Sequence, residues 1–238
     1  MVDNATIQDL TLDGVDILGY EHVAGLIGRA AGNDTLISNV AVTDATITGG
    51  HWVAGIIGYA EQTSGRVENS TVESSELTAY VLDKEANGDK VASMVGYGPK
   101  YYVDNNTASN LEINLFRDGG GIVGIQDSDK LDRVTNNHAE NITINLDKTQ
   151  TENPNFKDGE KDINRFVGAI IGRHGDKVND GPQQQIANNG NTFTNVETWI
   201  RLEDETEFEQ YDTKYIGAKR QSWYELGTSV DGWLTDDE

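Results

Sequence analysis

Residues 23–28 read VAGLIG and residues 53–58 read VAGIIG, the same apolar phrase with glycine in the same two places. The phrase returns as VASMVG at 91–96, GGGIVG at 119–124 and VGAIIG at 167–172. A glycine-rich phrase beside a strand can cradle a phosphate, permit tight packing or make a turn. Its surroundings decide among these. Shifted by thirty positions, Ile7, Leu12, Ile17 and Val23 fall on Ile37, Val42, Ile47 and Val53, and a further thirty brings Val67, Val72 and Leu77 into line. Small changes of length continue the pattern as Val103, Ala108 and Ile113, then as Val134, Ala139 and Ile144. Two residues after the first of these positions stands a polar column: Asp9, Asn39, Asn69, Asn105 and Asn136. A second column holds Gly28, Gly58, Gly96, Gly124 and Gly172.

Each unit has about three short apolar segments separated by Asn, Asp, Gly and Thr, the residues of tight turns. Strands of this length in a repeat of about 30 residues make one coil of a β-solenoid. We therefore expect an all-β chain, a right-handed parallel β-solenoid (β-helix) of about five or six coils. A pair of β-sandwiches would also use short strands but requires no constant repeat. In a stack of coils the Asn column becomes a buried ladder, each amide bonding the next. VAGLIG reads as one strand of the stack, Val23 and Ile27 on one face and Leu26 on the other. Both faces are apolar, so a neighbouring segment should cover the second, and the small Gly25, Gly55, Ser93, Gly121 and Ala169 permit its approach.

The phrase G-[LI]-[IV]-G once per unit, after strands such as SNVAVTDATITG, resembles the GLUG repeat of bacterial cell-surface proteins. The resemblance covers residues about 4 to 175 and rests on recurrence, with Ser93 and Ala169 departing from the pattern. It implies an extracellular, adhesin-like β-solenoid and brings no catalytic residues with it.

Composition excludes several classes. The chain of 238 residues has no cysteine, so disulfides and thiolate sites are out. With 18 basic against 40 acidic residues its formal charge is −22, which opposes nucleic acid and anionic membranes as partners. No apolar run is long enough to span a bilayer, so this segment does not insert into membrane. The start, MVDNATIQDL, has no basic n-region or apolar h-region. It opens within a coil, which leads us to expect a part of a longer surface protein whose export signal lies elsewhere.

The separations from the third core position to the closing glycine locate insertions at one corner of the third and fifth units: LDKEANGD (82–89) and KTQTENPNFKDGEKDIN (148–164). Loops on a rigid scaffold are where binding resides, although solvated decoration is the plainer reading. The two would flank RDGGGIVG (117–124), a shallow groove floored by glycine backbone and rimmed by carboxylates, with Arg117 and Asp118 as candidate ligand-surface residues. Gly119, Gly121 and Gly124 spell G-x-G-x-x-G, but a nucleotide site needs a strand-turn-helix, and no cofactor is expected. Asp158, Glu160, Asp162 and Asn164 alternate oxygens as a Ca²⁺ loop does, yet lack its glycine and closing glutamate, so a polar loop is read before a metal site. The sequons at Asn4, Asn33, Asn69, Asn105 and Asn141 read as structural Asn and Thr. After the glycine column come Arg29, Tyr59, Tyr97, Ile125 and Arg173, either a self-stacking ladder or, with Tyr101, Tyr102 and Trp52, a surface for sugar rings.

No H-E-x-x-H, G-x-S-x-G or P-loop occurs, and His22, His51, His138 and His174 lie in different units. We divide the chain into repeats over 1–190 and a last coil with a C-terminal cap over 191–238, the register of FTNVETWIRLEDE being ambiguous. The function read from this is non-catalytic adhesion or display at a cell surface, toward a glycan or protein ligand. A β-helical polysaccharide lyase or hydrolase and a pure spacer are the alternatives.

Overall fold

The computed structural model describes residues 1–61, 64–81, 88–126, 128–147, 166–174, 182–201, 206–211, 213–214 and 216–219. The chain is all-β, and its described strands form three sheets of 13, 7 and 5 strands. Every strand pairing is parallel except Thr198–Ile200 against Glu209–Tyr211. The repeat is the pairing register. Ile7, Ile37, Val67, Val103 and Val134 pair in one column; Leu12, Val42, Val72, Ala108 and Ala139 in a second; Ile17, Ile47, Leu77, Ile113 and Ile144 in a third. A sixth layer, Thr192–Arg201, pairs with His138–Asp147 in register His138↔Thr192, which fixes the ambiguous segment as far as Arg201. The inward columns of the inner layers are fully buried, and each such Ile or Leu contributes about 1.5–3 kcal/mol by leaving water.

The Asn column behaves differently from the expectation. Asp9, Asn39, Asn69, Asn105 and Asn136 all have left-handed backbone, φ between 53 and 56° for Asn39, Asn105, Asn136 and Asp9 and 52° for Asn69. All five side chains point to solvent. Asn and Asp tolerate this conformation, and it bends the strand so that core residues flank one outward side chain. The amides still stack: Asn39 Nδ2 donates to Asp9 Oδ1 at 2.6 Å, and Asn105 Nδ2 to Asn69 Oδ1 at 2.7 Å. Gly14, Asp44, Ser74, Asn110, Asn141 and Asn195 repeat the device one bend later, again with positive φ.

The buried ladder lies one residue further on, at Ser70, Asn106, Asn137 and Asn191. After each bend one N–H turns inward, away from the sheet, and the next layer's side chain accepts it. Val40 N donates to Ser70 Oγ, Ser70 N to Asn106 Oδ1, Asn106 N to Asn137 Oδ1 and Asn137 N to Asn191 Oδ1, at 2.9–3.1 Å. Each Asn amide also donates to a carbonyl behind it: Asn106 to Val67, Asn137 to Val103, Asn191 to Val134. These donors and acceptors would otherwise be orphaned in the core.

The phrase VAGLIG is a corner and not one strand. Glu21–Ala24 and Ile27–Ala31 belong to different sheets, with a bend at Gly25 and Leu26. The residue before the corner is left-handed in the first three units, at His22, Trp52 and Lys90, and the strand after the corner crosses over its carbonyl. A Cβ on Gly58 would lie 2.6 Å from the Trp52 carbonyl oxygen, and one on Gly96 2.5 Å from that of Lys90. The glycine column is thus a line of backbone-on-backbone contact. It gains a member missed in the sequence: Ile171↔Ile216 and Arg173↔Ala218 set Gly217 on Gly172.

Candidate functional site

The column after the glycines pairs as Arg29, Tyr59, Tyr97, Ile125 and Arg173. Tyr59 and Tyr97 stack with centroids 5.3 Å apart and planes 10° from parallel, and the Arg29 guanidinium lies 6.0 Å from the Tyr59 centroid. Beside them His22 stacks on Trp52 at 4.4 Å, and Trp52 meets Tyr59 at 4.8 Å. Rings stacked along the column cover one another's faces, so edges rather than faces remain for a ligand. A sugar ring packs on an aromatic face, so this geometry favours the ladder.

Tyr101 and Asp118 are not surface residues. Tyr101 is buried opposite Gly65, whose missing side chain leaves room for the ring. Inward Val103 sets the strand parity, so Tyr101 follows it inside and Tyr102 turns out. Tyr102 remains exposed between the guanidinium groups of Arg66 and Arg133, 5.3 and 4.7 Å from its centroid. Residues 118–124 are buried throughout, so they do not form the exposed glycine floor that was expected; Arg117 is half-buried beside them. Asp158, Glu160 and Asp162 lie outside the described residues, as do 82–87 and most of the second insertion. Among the described residues no group of three or more His, Asp or Glu could hold a metal, and no helix is long and apolar enough to cross a membrane.

What the sequence did not disclose is a buried charge cluster at that corner. His51 stacks on Asp89, and the register carries Trp52 onto Lys90 and Lys90 onto Asp118. His51 Nδ1 and Lys90 Nζ each bond one oxygen of Asp89, and Arg173 Nη1 lies 3.4 Å from Asp118 Oδ2. His51, Asp89 and Asp118 are 5, 1 and 0 % exposed, which closes the cluster to substrate. It sits instead at the loop roots. Asp89 is the last residue of the first insertion; Phe166 stands two residues past the second, under the Arg173 guanidinium at 5.5 Å. Asp147, the last described residue before the second insertion, is buried and held by Arg201 Nε at 3.0 Å.

Asp89 and Asp118 titrate in opposite directions. Burial pushes Asp89 up, but Lys90, the His51 hydrogen bond and charge, and Arg117 outweigh it and hold its pKa at about 2 against an ordinary 3.8. Burial dominates at Asp118 and raises its pKa, with Asp89 adding to the rise and Arg173 and Arg117 opposing it. A depressed folded pKa gives stability that is full above the unfolded pKa and lost as pH falls through the folded one. A raised carboxyl pKa does the reverse, its cost appearing as pH climbs above the unfolded pKa and standing complete above the folded one. Asp89→Asn should therefore lower stability by about 3 kcal/mol at neutral pH, since it takes the carboxylate away from the part-buried Lys90 ammonium and from buried His51. The gap should narrow as pH falls from about 4 toward about 2. Asp118→Asn should cost distinctly less at pH 7. Urea unfolding of both variants from pH 7 to 2 checks this; equal losses at pH 7 would contradict it.

No family model, curated protein or solved structure matches the chain.

Proposed function

We propose that the chain winds as a right-handed parallel β-solenoid of about six coils and works without catalysis, displaying loops for adhesion at a bacterial cell surface. Its likeness to GLUG repeats supports the setting, and its parallel in-register layers support the winding. The observation that carries the reading is the treatment of the two insertions: both leave the same corner, and their described roots are gripped through buried carboxylates, Asp89 bonded by His51 and Lys90, and Asp147 by Arg201. A loop anchored so firmly at its base loses less entropy when it binds a ligand. The acidic surface suits a neutral or cationic glycan or protein ligand better than a uronate.

The test is deletion of each loop separately, residues 82–87 and 148–165, keeping Gly88 and Asp89 because Asp89 belongs to the core. Each deletion should leave the thermal midpoint within about 4 °C, as expected of a surface-loop change. Binding to host-cell surfaces or a glycan array, with and without EDTA, should drop by about tenfold or more. Undiminished binding after each of the two deletions, or no binding by the parent in any arm, would leave a spacer as the function.

A further inference from the structure

One outward face of the third to fifth layers carries cations in a chain that is otherwise strongly acidic. Gly65–Glu68, Tyr102–Asp104 and Val134–Thr135 pair in register, with Val67, Val103 and Val134 buried. Strand alternation turns two columns outward: Arg66, Tyr102 and Arg133 in one, Glu68, Asp104 and Thr135 in the other. Further layers flank these three on both sides. At the usual strand geometry the six side chains span about 10 Å across the layers and about 7 Å along them.

Two observations point to a ligand for this face. Arg29, Arg66, Arg173 and Arg201 each lie against a carboxylate. Arg133 does not: among the described residues its partners are the Lys100 carbonyl, which accepts from Nη1, and the Tyr102 ring. In a chain with 40 acidic residues, a guanidinium left without a carboxylate keeps an open fork of N–H donors for an anion. The second observation is the neighbouring column. Glu68 Oε2 accepts from Arg66 at 3.0 Å, and Asp104 Oδ1 accepts from Thr135 Oγ1 and Asn136 Nδ2. Among the described residues no donor bonds the other oxygen of either carboxylate. Those oxygens repel a second anionic group but accept from hydroxyls. Stacking is closed off, because the Arg66 and Arg133 guanidiniums lie 5.3 and 4.7 Å from the Tyr102 centroid and cover its faces. The two columns therefore fit one carboxylate set beside several hydroxyl groups.

We propose that this face binds an acidic sugar, a single uronic acid unit on an otherwise neutral glycan. Arg133 takes the carboxylate through its fork, Arg66 and the Tyr102 O–H add donors beside it, and Glu68 and Asp104 accept from ring hydroxyls. The formal charge of −22 repels a polyuronate at long range. That repulsion is screened beyond about 10 Å in 0.1 M salt, whereas one carboxylate on Arg133 is in direct contact. The loops take no part, so this binding should survive their deletion even where the adhesion reading fails.

The probe is methyl glucuronide, titrated into the whole nitrogen-labelled chain and followed by amide NMR. Methyl glucoside, with a hydroxymethyl group in place of the carboxylate, and N-acetylglutamate amide, a carboxylate without ring hydroxyls, are the controls. Shifts should centre on Arg66, Tyr102 and Arg133, and the glucuronide should bind about tenfold more tightly than either control. Arg133→Gln, with circular dichroism and thermal midpoint unchanged, should erase the advantage over the glucoside. Arg66→Gln, at a more exposed position, is the second variant and should weaken the glucuronide about threefold. Equal binding of glucuronide and glucoside, no binding of either at millimolar concentration, or shifts centred elsewhere overturns the proposal. So does an advantage that survives Arg133→Gln, or a glucuronide affinity indifferent to Arg66→Gln. N-acetylglutamate amide binding as tightly as the glucuronide also overturns it, making an acidic peptide the ligand.

Discussion

Asn137→Ala should remove about 3–5 kcal/mol of stability, one of the largest losses open to a single polar side chain in this protein. The buried amide is bonded on every side. Its Oδ1 accepts from Asn106 N at 3.1 Å and Asn106 Nδ2 at 3.0 Å, while its Nδ2 donates to Val103 O at 2.8 Å and Asn191 Oδ1 at 2.9 Å. Alanine leaves the inward N–H of Asn106 without an acceptor, and each buried group left unmade costs about 1–3 kcal/mol. Asn136→Ala, one residue earlier, should cost only about 1 kcal/mol, since that side chain is exposed and what is lost is tolerance of a left-handed backbone. Urea midpoints for the two variants provide the comparison. Equal losses would show that the inner ladder carries no more weight than the outer one. Because neighbouring rungs share bonds, Asn106→Ala combined with Asn137→Ala should fall short of the summed single losses.

Gly96→Ala should cost about 3 kcal/mol or more and depress soluble expression. A methyl there would stand 2.5 Å from the Lys90 carbonyl oxygen and 2.7 Å from that of Gly58. Both obstacles are backbone, so no side-chain rotation relieves them, and two sheets must separate at the corner. Gly14→Ala is the control. Its φ is +62° but nothing lies within 4 Å of a Cβ, so only the conformational penalty of about 1–2 kcal/mol applies. Thermal unfolding of the two variants separates steric from conformational demand. If Gly96→Ala loses no more than Gly14→Ala, the glycine column is not a packing line.

The parts legible in the sequence are those where stacking demands like residues in successive layers. Ile7, Ile37, Val67, Val103 and Val134 could be aligned by eye because each sits over the last in one apolar column. Asn105–Asn106 and Asn136–Asn137 are doublets, and the recurrence of the first member drew the reading to the wrong one. The left-handed bend sends the first outward and the second in, which no periodicity announces. The corner in VAGLIG was hidden for the same reason: a bend between two apolar strands leaves both ends hydrophobic. The charge cluster was illegible because its column changes type at every layer, Glu21, His51, Asp89 and then Arg117. Complementarity between layers leaves no repeated letter to find. Tyr101 was within reach, since its neighbour Val103 had already been placed inward.

The uneven spacing of the layers has a kinetic and evolutionary side. Paired residues are 30 apart for Ile7↔Ile37 but 54 apart for His138↔Thr192. Chain closure scales with the logarithm of length, so the longer gap adds only about 0.5 kcal/mol to the entropy of bringing the two strands together. Sequence can therefore accumulate between layers at almost no thermodynamic penalty, provided that it enters where the backbone leaves one sheet for the next. An insertion inside a strand would instead break the stacking of every column beyond it. The corner is the place where this architecture can diversify while its register stays fixed.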